Sequence, residues 1–249
     1  SLLYTLQIYF DFSGYCDMAI GIAGMFGFEL PLNFNSPYKS ASIIEFWQRW
    51  HMSLTRFLRK YIYFPLGGSK KGSSRTMLNI LIVFLVSGIW HGANWTFILW
   101  GLLHGVANVL NRLLKKPWEY IPKFIRIALT FFFVNLAWIL FRSDSLNDCI
   151  KMFKHLLFDW ESGFSISSGL LECFNVIELT YIEEHVGFLT ALTTKIPSFN
   201  MWFILLTSLI LVFFTKNCHE KEYKPKLTNA IFCIILLVWS ILSLSGLST

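Results

Sequence analysis

The 249 residues hold 21 Lys and Arg against 15 Asp and Glu, a net charge of +6, and 55% of the side chains are hydrophobic while only 14% are charged. A mean hydropathy of +0.54 excludes an ordinary soluble domain and indicates an integral membrane protein. The five cysteines (Cys16, Cys149, Cys173, Cys218 and Cys233) show no C-x-x-C spacing, and their odd number excludes a complete disulfide framework, so they read as small apolar fillers.

The chain opens at Ser1 directly in an apolar stretch, lacks the basic flank and cleavage site of a signal peptide, and reads as the C-terminal part of a longer protein. Asp11 and Asp17 interrupt this stretch. Carboxylates at such depth are costly unless paired, and a Tyr or Arg from a neighbouring helix is the expected partner. Pro31 and Pro37, with Asn33, Asn35 and Ser36 between them, mark the loop that follows. Ser42 to Lys60 then reads as one interfacial helix. At about 100° per residue, Trp47, His51, Leu54 and Leu58 share a face, and Glu45, Arg49, Ser53, Arg56 and Lys60 lie opposite. Pro65 and the Gly67-Gly68 pair terminate it.

Met77 to Asn111 is too long for one crossing and is expected to turn near Gly88–Asn94, which places His91 at or beside a turn between two helical arms. A polar group inside this apolar run costs several kcal/mol unless it is satisfied or used. Irregular backbone at that depth requires surrounding protein or a water-filled cavity. Ile125–Phe141, Trp202–Phe214 and Ala230–Leu244 fall near or below the ~20 residues of a perpendicular span, so short, tilted or re-entrant helices are expected. The predicted fold is an all-α, polytopic transmembrane bundle.

Charge orients the spans. Lys39–Arg75 holds eight Lys and Arg against Glu45 alone, and Arg112–Arg126 holds five against Glu119, so both face the cytoplasm by the positive-inside tendency. Residues 143–195 carry eight acidic side chains against three lysines and are expected outside, and the basic Lys216–Lys226 loop returns the chain inside before a last outward span.

Five blocks stand in a telling order: Tyr9–Gly21 (YFDFSGYCDMAIG), Leu32–Tyr38 (LNFNSPY), Glu45–Leu54 (EFWQRWHMSL), Tyr63–Gly68 (YFPLGG) and Gly88–Trp95 (GIWHGANW). Leu136–Arg142 (LAWILFR) adds a sixth. They resemble the membrane-bound O-acyltransferases, in particular the alginate O-acetylase type. The resemblance implies that residues 1–249 are the C-terminal portion of one such membrane domain, with 1–112 bearing the motifs and 113–249 adding further helices. It implies transfer of an acyl group, usually acetyl, from a cytoplasmic thioester such as acetyl-CoA, with no bound cofactor. The acceptor side would be a polysaccharide or an extracytoplasmic acetyl-relay protein, at a bacterial plasma membrane and without nucleic acid. Cys16 and Thr55 stand where serine is more usual in the family.

By the same resemblance His91 and His51 are the candidate catalytic residues. A neutral imidazole at His91 would take the acceptor's hydroxyl proton as the oxygen attacks the thioester carbonyl. His51 would orient the donor or polarise that carbonyl, or simply anchor its helix. Arg49 and Arg56, on a basic face with Arg59 and Lys60, are candidates for contacting donor phosphates, although a solvated or lipid-facing role is the plainer reading. Asn94 either satisfies the turn or bonds His91, and Trp90 and Asp17 are supporting candidates. His104, His155, His185 and His219 read as structural. No H-E-x-x-H or other common zinc spacing is present, so no metal is expected, and no G-x-S-x-G elbow supports a serine nucleophile. Two alternatives stand beside this reading: D-alanyl transfer to teichoic acid, and a transporter or flippase whose broken helix lines a path.

Overall fold

The computed structural model describes residues 1–158, 168–172, 174, 180, 185–196, 198–220 and 227–246, and these form helices joined by loops, with no strand among them. The chain forms two compact units, 1–162 with 211–217, and 163–210 with 218–249. The motif-bearing blocks all lie in the first.

In the first unit, α1 (Leu2–Met25) is followed by a loop and a 3₁₀ turn at Pro37–Lys39, then α2 (Ile43–Arg49) and α3 (Met52–Leu58). A π-helical turn at Arg59–Tyr63 leads to α4 (Ser73–His91), α5 (Trp95–Leu113), the short α6 (Lys115–Tyr120), α7 (Lys123–Arg142) and α8 (Leu146–Phe158). The second unit contains the helices Ser168–Glu172, Gly187–Lys195 and Leu227–Gly246, together with most of Phe199–Phe214. Among the described residues, Ser73–His91, Lys123–Arg142 and Phe199–Glu220 are long and apolar enough to cross a membrane.

The single helix expected over Ser42–Lys60 does not form. Its start is as the sequence suggests: Ser42 caps α2, its hydroxyl accepting from Glu45 N at 3.1 Å, and the Glu45 carboxylate accepts from Ala41 N at 2.8 Å. The helix then stops at Trp50, which is extended, and His51 takes a left-handed conformation at φ 45. That conformation costs a non-glycine residue about 1–2 kcal/mol. The preceding loop holds it in place, since Asn35 N donates to Arg49 O and Met52 N donates to Asn33 O, both at 2.9 Å. These bonds join residues distant in sequence, which is why helical periodicity alone runs straight through the break.

The turn expected near Gly88–Asn94 is real: α4 ends at His91 and α5 begins at Trp95. The two arms pack backbone against backbone. A Cβ on Gly88 would lie 2.5 Å from Phe97 O, and one on Gly101 would collide with Phe84 O. Small residues at this seam permit the approach that helices in lipid use to associate. Trp100 and His104 of α5 and Val134, Ala137, Trp138 and Ile139 of α7 are buried in the core beside Phe46, Trp47 and Trp50.

Asp11 is exposed on α1 and has no hydrogen-bond or ion-pair partner among the described residues, contrary to the pairing expected for it. Asp159, Glu161, Glu178, Glu183 and Glu184 of the acidic segment, Cys173, and residues 221–226 of the basic loop lie outside the described residues.

Candidate active site

His51 owes its place to the break that α2 and α3 leave. Its Nδ1 lies 3.1 Å from Asn33 Oδ1, and the same oxygen accepts from Ser53 N at 3.1 Å and from the Ser53 hydroxyl at 3.0 Å. Asn33 Nδ2 points away, donating to Cys16 Sγ at 3.3 Å. Cys16 is therefore a hydrogen-bond acceptor, which the apolar-filler reading did not foresee. The ring of Phe12 meets the His51 imidazole edge-on with centroids 4.8 Å apart.

His91 ends α4, and neither of its ring nitrogens has a hydrogen-bond partner among the described residues. Its surroundings are aromatic: Trp90 at 4.9 Å, Trp100 at 5.2 Å and perpendicular, and Phe141 at 5.1 Å between centroids. Trp138 stacks on Trp100 at 5.8 Å and leans on Trp50 at 5.1 Å, so the walls brace one another.

These walls enclose a cavity of about 60 Å³ that both His51 and His91 line, together with Phe12, Trp47, Trp100 and Phe141. Two imidazoles from distant segments thus share one small, apolar chamber, the setting in which a proton acceptor and a reacting carbonyl are shielded from bulk water. A second cavity of about 230 Å³ lies next to it, for Trp47 and Leu54 line both. Its other lining residues include Gln48, Arg59, Asn108 and Arg112.

Asn94, Arg49 and Arg56 bond to groups other than the two histidines. Asn94 satisfies the turn: its Oδ1 accepts from Thr96 N at 3.3 Å, capping α5, and its Nδ2 donates to Asp144 O at 2.7 Å, so it does not bond His91. Arg49 is committed to an ion pair with Glu45 at 2.8 Å and to Asn35 O at 3.2 Å, while Arg56 is exposed and reaches Leu32 O at 3.5 Å. Neither lines either cavity; Arg59 and Arg112 line the larger one instead. Trp90 is half exposed and holds one edge of His91, and Asp17 is not among the residues lining either cavity. His104 is fully buried and accepts from Trp47 Nε1 at 3.2 Å through Nδ1, a structural role as expected. Asn33, read from sequence only as part of a loop, is the chief omission, although its motif was visible.

Residues 1–147 match the model of the membrane-bound O-acyltransferase family. The chain belongs to that family. With its apolar helices, this MBOAT chain is an integral membrane protein. It is 50% identical over 161 residues to the peptidoglycan O-acetyltransferase of Helicobacter pylori, covering 63% of this chain and 31% of that protein. It is 44% identical over 166 residues to the probable alginate O-acetylase AlgI of Pseudomonas putida, covering 65% and 34%. The teichoic acid D-alanyltransferase of Bacillus subtilis is 31% identical over 153 residues, covering 55% and 39%. The chain therefore spans about a third of the length of the first two relatives.

Proposed function

We propose that this MBOAT chain catalyses transfer of an acyl group, acetyl in the first instance, from a cytoplasmic thioester to a hydroxyl of a cell-envelope polysaccharide or of an extracytoplasmic relay protein, at a bacterial plasma membrane. The observation that carries the reading is the shared chamber of His51 and His91. In the reaction His91 accepts the hydroxyl proton while the oxygen forms its bond to the thioester carbonyl carbon. The carbon–sulfur bond then breaks, and the proton passes from the imidazolium to the departing sulfur, which leaves as a thiol. Acyl, proton and electron pairs balance without a metal or a covalent enzyme intermediate.

The adjoining cavity suits the donor. Arg59 and Arg112 supply two guanidinium groups whose planar donor arrays match phosphate oxygens, as a coenzyme A thioester would require. Gln48 and Asn108 add neutral polar groups to the same lining. Trp47 and Leu54 stand between this cavity and the histidine chamber, so a thioester would have to displace them to bring its carbonyl to His91.

Acetyl is favoured over D-alanyl because the relatives at 50% and 44% identity carry acetyl-transfer names, whereas the D-alanyltransferase stands at 31%. Mass spectrometry of envelope polymers from cells with and without the intact gene tests this. Acetyl esters that vanish with the gene support the proposal, whereas loss of alanyl esters would assign the protein to the other chemistry.

A further inference from the structure

We propose that Asn33 is a positioning residue that sets the tautomer of His51, leaving Nε2 as a proton acceptor on the chamber. This deepens the acyltransferase reading and rests on it for its catalytic consequence, although the tautomer itself does not.

A backbone N–H only donates, and Ser53 N lies 3.1 Å from the Asn33 side-chain atom assigned as Oδ1. That atom must be the oxygen, because an amide nitrogen there would set two donors against each other. The contact of Asn33 Nδ2 with Cys16 Sγ at 3.3 Å agrees with this orientation. Since Oδ1 carries no hydrogen, the His51 Nδ1 at 3.1 Å must supply one. The weaker alternative, a proton from the Ser53 hydroxyl to Nδ1, has only a 3.4 Å contact, and it would leave two lone pairs opposed at 3.1 Å.

A neutral imidazole holds one ring proton, so with Nδ1 protonated the lone pair resides on Nε2. No described residue hydrogen-bonds Nε2, and the ring lines the chamber beside His91. In this form His51 cannot polarise a thioester carbonyl, which would need an N–H. It is suited to receive a hydrogen bond from the acceptor hydroxyl or from the imidazolium that forms at His91. The backbone supports the same outcome: Met52 N donates to Asn33 O at 2.9 Å, so one residue fixes both the left-handed bend at His51 and the proton on its ring.

The test is ¹⁵N NMR of the intact membrane protein labelled at histidine, with His51→Gln assigning the signal, alongside kinetics with an acetyl thioester. The wild type should show His51 protonated at Nδ1. Asn33→Ala should populate the Nε2–H form and lower kcat about 100-fold, with the thioester KM unchanged. Asn33→Asp keeps an acceptor oxygen in place and should restore the Nδ1–H signal and most of kcat, separating this role from a general loss of folding. Nε2–H in the wild type, or an unaltered tautomer and kcat in Asn33→Ala, would overturn the proposal. A tautomer that responds as stated in a protein that transfers no acyl group would uphold the assignment of Asn33 and sink the acyltransferase reading.

Discussion

Trp47 Nε1 donates to His104 Nδ1 at 3.2 Å, and both side chains belong to the buried packing beneath the histidine chamber. The bond fixes a histidine of α5 as core and fixes the wall that the two cavities share. Trp47→Phe keeps most of the aromatic surface but strands a buried nitrogen. The expected cost is about 1–3 kcal/mol of stability, read from thermal unfolding in detergent.

The α4–α5 seam leads to a second expectation. Replacing a helical glycine by alanine ordinarily stabilises by up to about 1 kcal/mol. At Gly101 the sign reverses, because the added methyl meets Phe84 O, a backbone atom that no rotamer can move aside. Gly101→Ala should destabilise by about 1–3 kcal/mol or misplace His91 enough to depress activity. A melting temperature equal to or above that of the wild type would show that the seam is looser than described.

Donor recognition is testable by charge. Arg59→Ala or Arg112→Ala should each raise the KM for a coenzyme A thioester by about 10-fold or more, the loss of roughly one charge-assisted hydrogen bond, and leave kcat little changed. Arg49→Ala, which breaks only the half-exposed pair with Glu45 and a loop contact, should leave that KM near the wild-type value. Steady-state kinetics across the three variants would settle which arginines meet the donor.

The pH dependence of stability has a definite sign at His51, which lies outside the three apolar spans. Burial pushes its imidazole down to about 4 from an ordinary value of 6.5. Between those values the unfolded chain binds a proton that the folded chain excludes, so stability falls as the pH is lowered through about 6.5 to 4 and is indifferent to this group above that window. His51→Gln should flatten this portion of a stability–pH curve. A curve of unchanged slope would mean that His51 is solvated.

Much of the fold was legible because lipid imposes simple rules. The run from Met77 to Asn111, too long for one crossing, became Ser73–His91 and Trp95–Leu113 with a turn after His91, and Ile125–Phe141 became Lys123–Arg142. The two histidines were legible through their motifs. Their meeting was not, because it depends on a left-handed residue held by Asn33 and Asn35 across a loop, a relation that leaves no periodic trace. The arginines show the same limit: Arg49 and Arg59 share a basic stretch in sequence, but Arg59, at the start of the π-helical turn Arg59–Tyr63, lines the cavity and Arg49 does not.

The proposed role of His91 as proton acceptor in acyl transfer is tested by acetyl-ester formation in membranes supplied with a labelled acetyl thioester and acceptor polymer. Wild-type and His91→Ala proteins would be compared at matched abundance and equal thermal stability. His91→Ala should lose at least about 100-fold in kcat. Ester formation at the wild-type rate in that variant would contradict it.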